Sequence, residues 1–154
     1  MAVSAATNGA VLTVSPKYES YANLAAIFEG FGWAFLTANS LASSFSILRE
    51  RPVSIVICDD DLLPGLWREM LTYLALLDDP PLLIVTARLA DERFWAEALN
   101  LGAYDVLAVP LDMTEAVRIV DSAQQHWHNR RKLRTGGKAT GLQPAAALRA
   151  GGSE

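Results

Sequence analysis

Three consecutive carboxylates, Asp59, Asp60 and Asp61, follow a run of apolar residues and precede the turn-forming pair Pro64 and Gly65. Clustered carboxylates hold hard divalent cations, which prefer oxygen ligands, or serve as oxygen nucleophiles. Asp60 and Asp61 are the two that could share a metal ion. Thr86 closes another apolar run, and its hydroxyl can bond an anionic oxygen or satisfy a strand-end backbone group. Cys58, the one cysteine, lies within the apolar run before the aspartates. It reads as a small core residue and leaves no partner for an internal disulfide. His126 and His128 are two residues apart near a helix end, which places them on different faces, and with only two histidines a four-ligand structural zinc site is excluded. The basic stretch Arg130, Arg131, Lys132, Arg134 could meet nucleic acid or a membrane surface, although cations at a helix C-terminus are also favoured by the helix dipole.

These groups must be positioned by a chain of 154 residues, of which 51% are hydrophobic and 19% charged. That composition belongs to one globular domain rather than a disordered segment. No apolar run reaches the length of a membrane span, and Met1–Gly9 lacks the basic and apolar regions of a secretory signal, so the cytoplasm is the expected compartment. Net charge is unevenly spread. Up to Trp127 there are seven Lys and Arg against sixteen Asp and Glu; from His128 onward there are six against one. The acidic body should repel nucleic acid, and only the C-terminal stretch could attract it.

Along the chain, Val11–Val14 reads as a strand stopped by Ser15 and Pro16. Tyr21, Leu24, Ala25, Phe28 and Phe31 recur at helical spacing from Glu19 onward, with Gly30 and Gly32 at the exit. A strand at Trp33–Thr37 follows, then a helix capped by Asn39 or Ser40, built on Leu41, Phe45 and Leu48, and closed before Pro52. Val53–Cys58 has the unbroken apolar, β-branched character of a strand covered on both faces. Beyond Pro64 and Gly65, the stripe Leu66, Met70, Leu71, Leu74 and Leu77 predicts a helix to Asp78, and Leu82–Val85 a strand. Phe94, Ala98 and Leu101 predict a helix closed by Gly102, and Asp105–Val109 a strand closed by Pro110. Asp112 and Glu115 have capping-box spacing ahead of a last helix through Ala116, Val117, Val120 and Trp127 towards Leu133. Periodicity is lost after Gly136. The chain therefore divides into an extension at 1–9, a domain at 10–134 and a flexible Gly/Ala-rich tail at 135–154.

Five strands alternating with five helices imply an α/β fold: a doubly wound, five-stranded parallel sheet with right-handed crossovers and helices on both faces. Chemistry in such sheets gathers in the crevice beyond the carboxyl ends of the strands. Ser15, Pro16, Asp59 to Asp61, Thr86, Ala87, Val109 and Pro110 stand there. Strand alternation is read to point Asp59 away from that crevice.

Over residues 10–133 the sequence resembles the receiver domain of two-component response regulators. The segment SIVICDDDLLPG resembles the third strand with its phosphoacceptor aspartate, which stands four residues before the proline of the next loop and so falls on Asp60, with Asp61, Leu62, Pro64 and Gly65 in the loop. LLIVTA resembles the fourth strand, whose phosphoryl-orienting hydroxyl is Thr86, and LGAYDVLAVPLD resembles the fifth strand with its cis-prone proline. The resemblance breaks at the active site. Ser15 and Pro16 stand where the family has the acidic pair for Mg²⁺, Val109 where it has a lysine, and Val106 where it has a switch aromatic. Mg²⁺ is accordingly not expected as a cofactor unless the relay is intact.

What this implies is a single-domain, receiver-like signalling protein acting by protein–protein interaction without conventional Mg²⁺-dependent phosphorylation. It would be no enzyme beyond an impaired autophosphorylation or dephosphorylation. The alternative is a working phosphorelay receiver with Asp60 as nucleophile; a second alternative is a scaffold whose basic C-terminal stretch docks on nucleic acid or membrane. The expected partner is a sensor kinase or another signalling protein, or a second copy of the chain, meeting the face of the fourth helix, fifth strand and fifth helix. Trp95, Tyr104 and Trp127 would be its aromatic anchors.

Overall fold

The computed structural model describes residues 9–16, 21–61, 64–88 and 90–140. Leu62, the predicted helix start at Glu19, the extension up to Asn8 and the tail from 141 onward lie outside them. Five strands, β1 (Ala10–Val14), β2 (Ala34–Ala38), β3 (Ile55–Asp59), β4 (Leu82–Ala87) and β5 (Asp105–Ala108), alternate with five helices, α1 (Ala22–Gly30), α2 (Leu41–Glu50), α3 (Leu66–Leu74), α4 (Glu92–Leu101) and α5 (Met113–Thr140). All strand pairs are parallel, in the order β2-β1-β3-β4-β5. The order reverses between β1 and β3, so the crevice of a doubly wound sheet opens at their carboxyl ends.

Strand alternation divides the core. Leu12, Val14, Val56, Cys58, Val85 and Val106 face α2, α3 and α4, where Trp67 and Met70 are fully buried. Val11, Ile55, Ile57, Ile84 and Leu107 face α1 and α5, meeting Tyr21, Leu24 and Phe28 on one side and Ala116, Val120 and Ala123 on the other. Burying each large aliphatic side chain stabilises the fold by about 1.5–3 kcal/mol. The sheet is therefore sandwiched, as its unbroken apolar strands require.

Side-chain caps set several helix starts. Ser40, rather than Asn39, accepts from Ser43 N at 3.2 Å; Asp91 accepts from Phe94 N at 2.9 Å; Asp112 accepts from Glu115 N at 3.2 Å. Two helices end elsewhere than their patterns predict. α3 stops at Leu74 instead of Asp78, because Leu76 N and Leu77 N turn to the carbonyls three residues back and tighten the chain. Leu77 still packs on the core from that turn. In α5 the backbone runs through Gly136 and Gly137 to Thr140, past the predicted start of a flexible tail at 135. Propagating an established helix adds one hydrogen bond per residue, so a glycine pair weakens it without ending it.

The amino end of the sheet is closed by a buried polar knot. Ser54 Oγ donates to Ala10 O at 3.2 Å and meets Gln124 Oε1 of α5 at 2.6 Å. Gly9 passes beside it with φ of +85°, where a Cβ would lie 2.6 Å from Ser54 Oγ. Both the backbone conformation and the space demand glycine. Gly9→Ala is expected to destabilise the fold by about 2 kcal/mol, read as a lower urea midpoint at unchanged m-value.

Candidate functional site

The carboxyl ends of β1, β3 and β4 bring four polar side chains into a closed cluster. Asp59 ends β3, is 5% exposed, and pairs in register with Thr86 of β4. It follows Ile55 and Ile57 on the face that α1 covers, so the residue opening α1's first turn, Tyr21, lies over the strand ends. Tyr21 and Thr86 share a hydrogen bond of 2.9 Å between their hydroxyls, both buried. Ser15, the residue after β1, faces Asp59 Oδ2 from 3.5 Å, while Asp61 N donates to Asp59 Oδ1 at 3.0 Å.

This corrects the reading that Asp59 points away from the crevice. Alternation does send Asp59 to the α1 side, but the crevice is roofed from that side, so the carboxylate lies within it. Asp60 is the first residue of the turn. Its N–H continues the ladder to Thr86 O at 2.8 Å, and its carboxylate bends back to accept from Gly65 N at 3.0 Å, capping the loop into α3. Asp61 ties that loop to the next one, accepting from Arg88 N at 2.6 Å and facing the Arg88 Nε at 3.9 Å. Thr86 and Ser15 are thus gathered around Asp59, with Asp60 and Asp61 outside the cluster.

The remaining positions frame the site without charge. Val109 follows β5, donates its N–H to Ala87 O at 3.0 Å, and forms a cis peptide bond with Pro110. Val106 is buried on the opposite face among the α3 and α4 contacts. Pro16 is exposed, and beside it Ser15, Thr37, Ala38, Asn39 and Ser43 line a groove of about 350 Å³ with no ionisable side chain among the described residues.

Burial raises the Tyr21 phenol above its ordinary pKa; the Thr86 bond opposes this and the negative Asp59 adds to it. Burial likewise pushes the Cys58 thiol up to about 12, helped by Asp59 and Asp60. Cys58 therefore stays protonated inside the sheet.

The Mg²⁺ that the receiver resemblance implies does not fit this donor set. Such an ion demands near-octahedral oxygen coordination and is usually anchored by one or two carboxylates. Asp59, Asp60 and Asp61 each have one oxygen engaged by a backbone N–H, and among the described residues the β1 corner supplies a serine hydroxyl and a proline. Among the described residues, no group of three or more His, Cys, Asp or Glu side chains is placed to hold a metal ion.

Sequence reasoning missed Tyr21 as a site residue and Arg88 as the partner of Asp61. The proline spacing assigns the acceptor position to Asp60, which the structure places in the turn directly after β3, while the apolar run that ends at Cys58 makes Asp59 the strand-end acid. That run was the available signal. Tyr21 carried none, since at helical spacing with Leu24 and Phe28 it looks like any core aromatic. Trp127, read as a surface anchor, is only 4% exposed; Trp95, at 41%, is the exposed aromatic of α4.

No protein-family model matches the chain. Over 120 residues it is 31% identical to the transcriptional regulatory protein ZraR of Escherichia coli O157:H7, a match covering 77% of this chain and 27% of that protein. The chain thus spans about a quarter of the length of the curated relatives it matches. It superposes on the signal receiver domain of an HD domain-containing protein from Pseudomonas fluorescens Pf-5 with a TM-score of 0.69 and 21% identity, covering 80% of this chain and 92% of that one. For the signal receiver domain of a putative LuxO repressor protein from Vibrio parahaemolyticus the TM-score is 0.74 at 13% identity, covering 81% and 96%. NtrX from Brucella abortus gives 0.77 at 18% identity over 88% of this chain and 30% of that one. The fold is that of response-regulator receiver domains. No helix among the described residues is long and apolar enough to cross a membrane.

The raised Cys58 pKa makes a pH prediction. Its ordinary value is 9.0 and its folded value about 12, so the folded state holds the proton more tightly. The stability this contributes is fully present below pH 9 and is lost as pH rises from about 9 to 12. Urea midpoints should fall across that interval, and by less in Cys58→Ala. At neutral pH the thiol should react with Ellman's reagent only after unfolding.

Proposed function

We propose that this receiver-fold chain is a signalling module of the two-component type, in the cytoplasm, that works by protein–protein interaction and does not take up a phosphoryl group in the Mg²⁺-dependent manner. One observation carries the reading. The strand-end carboxylate Asp59 is closed in by Ser15 and by the Tyr21–Thr86 bond, where phosphoryl transfer would need a metal and a cation.

Phosphoryl transfer is catalysed by positioning and by stabilising the charge that spreads over the transferred oxygens. Asp59, Asp60 and Asp61 place three carboxylates in the path of an incoming phosphoryl group, and Val109 supplies no charge of the opposite sign. Arg88 is at the rim, turned to Asp61. The Thr86 hydroxyl, which would orient a phosphoryl oxygen, is engaged by Tyr21. The alternative is a working phosphorelay with Asp60 as the acceptor, whose N–H bonds Thr86 O at 2.8 Å. That bond is the one observation on its side.

For the interaction surface we take the face of α4, β5 and α5. Trp95, Leu99 and Leu101 are 41–53% exposed there, more apolar surface than a solvated helix needs. A sensor kinase, another signalling protein or a second copy of the chain would cover it. The basic stretch of α5 is not taken as a nucleic-acid or membrane contact, because Arg130 bonds Pro80 O and Arg131 pairs with Asp79.

Incubation with Mg²⁺ and acetyl phosphate, followed by intact mass, tests the reading. The expected result is no phosphoryl adduct and no quenching of tryptophan fluorescence by Mg²⁺. An acid-labile adduct lost in Asp59→Asn or Asp60→Asn would overturn it. Tyr21→Phe should lower stability by about 1 kcal/mol through the lost hydrogen bond, yet remain unphosphorylated, because freeing Thr86 restores neither metal nor cation.

A further inference from the structure

At the end of the sheet opposite Asp59, the C-terminus of α2, the segments entering β3 and β4, and one turn of α5 line a cleft of about 230 Å³. The five residues of β3, at about 3.3 Å each, separate it from the Asp59 cluster by roughly 15 Å. Its apolar lining includes Leu48, Val53, Leu77 and Trp127, and two guanidinium groups, Arg51 and Arg131, border it together with the Asp79 carboxylate. Trp127 is held in place: it is almost wholly buried, and Arg131 lies 4.9 Å over its ring while pairing with Asp79 at 3.0 Å. Arg51 has no ion-pair partner among the described residues, and its N–H donates to Ile47 O at 2.9 Å.

The surrounding charge is opposite in sign to that of the chain. The border of the cleft carries two guanidinium groups against one carboxylate, in a protein of net charge −4. The cleft is smaller than the 300–1,000 Å³ or so of pockets that enclose whole small molecules, and is sized for one inserted side chain. An apolar lining with a cationic border selects an apolar anchor flanked by carboxylates.

We propose that this cleft docks an acidic segment of a partner protein, with one aliphatic side chain seated against Leu48, Leu77 and Trp127 and a neighbouring carboxylate facing Arg51. The proposal rests on the reading of the chain as an interaction module only in taking the occupant to be a protein segment. Phosphodonor experiments report on Asp59 and leave this cleft untouched, so either idea can fail alone.

The test is titration of the ¹⁵N-labelled full chain with the peptide acetyl-Glu-Asp-Leu-Asp-Glu-amide, followed by amide and indole resonances. Shifts are expected at Val53, Leu77 and the Trp127 indole N–H, weakening as salt is raised. Arg51→Ala, at an exposed position, should keep the spectrum of the fold and raise Kd roughly threefold to fivefold, the range of one exposed ion pair. Leu77→Ala should weaken binding while leaving its salt dependence. The proposal is overturned if the acidic peptide shifts nothing at the cleft, if acetyl-Lys-Ser-Leu-Ser-Lys-amide binds equally well, or if Arg51→Ala changes nothing.

Discussion

A carboxylate at the end of a central parallel strand, buried from water, has to be met by donors inside the protein, because an unpaired buried charge costs several kcal/mol. Much of the carboxyl end of this sheet is arranged around that requirement at Asp59. Asp61 turns its N–H back to one oxygen, which starts the β3–α3 loop, and Ser15 approaches the other from β1. Tyr21 roofs the cluster from α1 and takes the Thr86 hydroxyl as its partner. The Ser15 contact ties β1 to β3, and the Tyr21–Thr86 bond beside it ties the start of α1 to β4.

The three aspartates accordingly have separate roles despite being consecutive. Asp59 points into the cluster, Asp60 caps the loop at Gly65, and Asp61 links that loop to the β4–α4 turn through Arg88. Each has an oxygen accepting from a backbone N–H, so the loops are fixed by their own acids. A metal in this crevice would have to compete with those bonds.

The two ends of the sheet have different characters. At the carboxyl end polar groups are drawn inward and satisfied, with acidic charge concentrated in one turn. At the amino end Ser54, Gln124 and Gly9 close the core, while Arg51, Arg131 and Asp79 border an apolar cleft. The rigid strands between them keep the two ends apart, so recognition at one need not involve the other. A shared fold does not carry a shared chemistry: the receiver architecture is present, and what it does depends on the few side chains at these ends.

The architecture was legible in the sequence because it rests on periodicity. Apolar β-branched runs such as Ile55–Cys58 can be buried only as covered strands, and stripes such as Leu66, Met70 and Leu74 only as one face of a helix. The substitutions at Ser15, Pro16 and Val109 were equally plain, since residue identity alone decides whether a corner can offer a carboxylate or a cation. Spacing along the chain could not decide which aspartate enters the crevice, because that depends on where β3 stops pairing with β4 and on which face α1 covers. The partnership of Tyr21 with Thr86, 65 residues apart, and of Arg131 with Asp79 at the far cleft, arises only when helices pack across strands. Periodicity is a local property of the chain, whereas the satisfaction of buried polar groups is settled between distant segments, and only the tertiary structure brings those together.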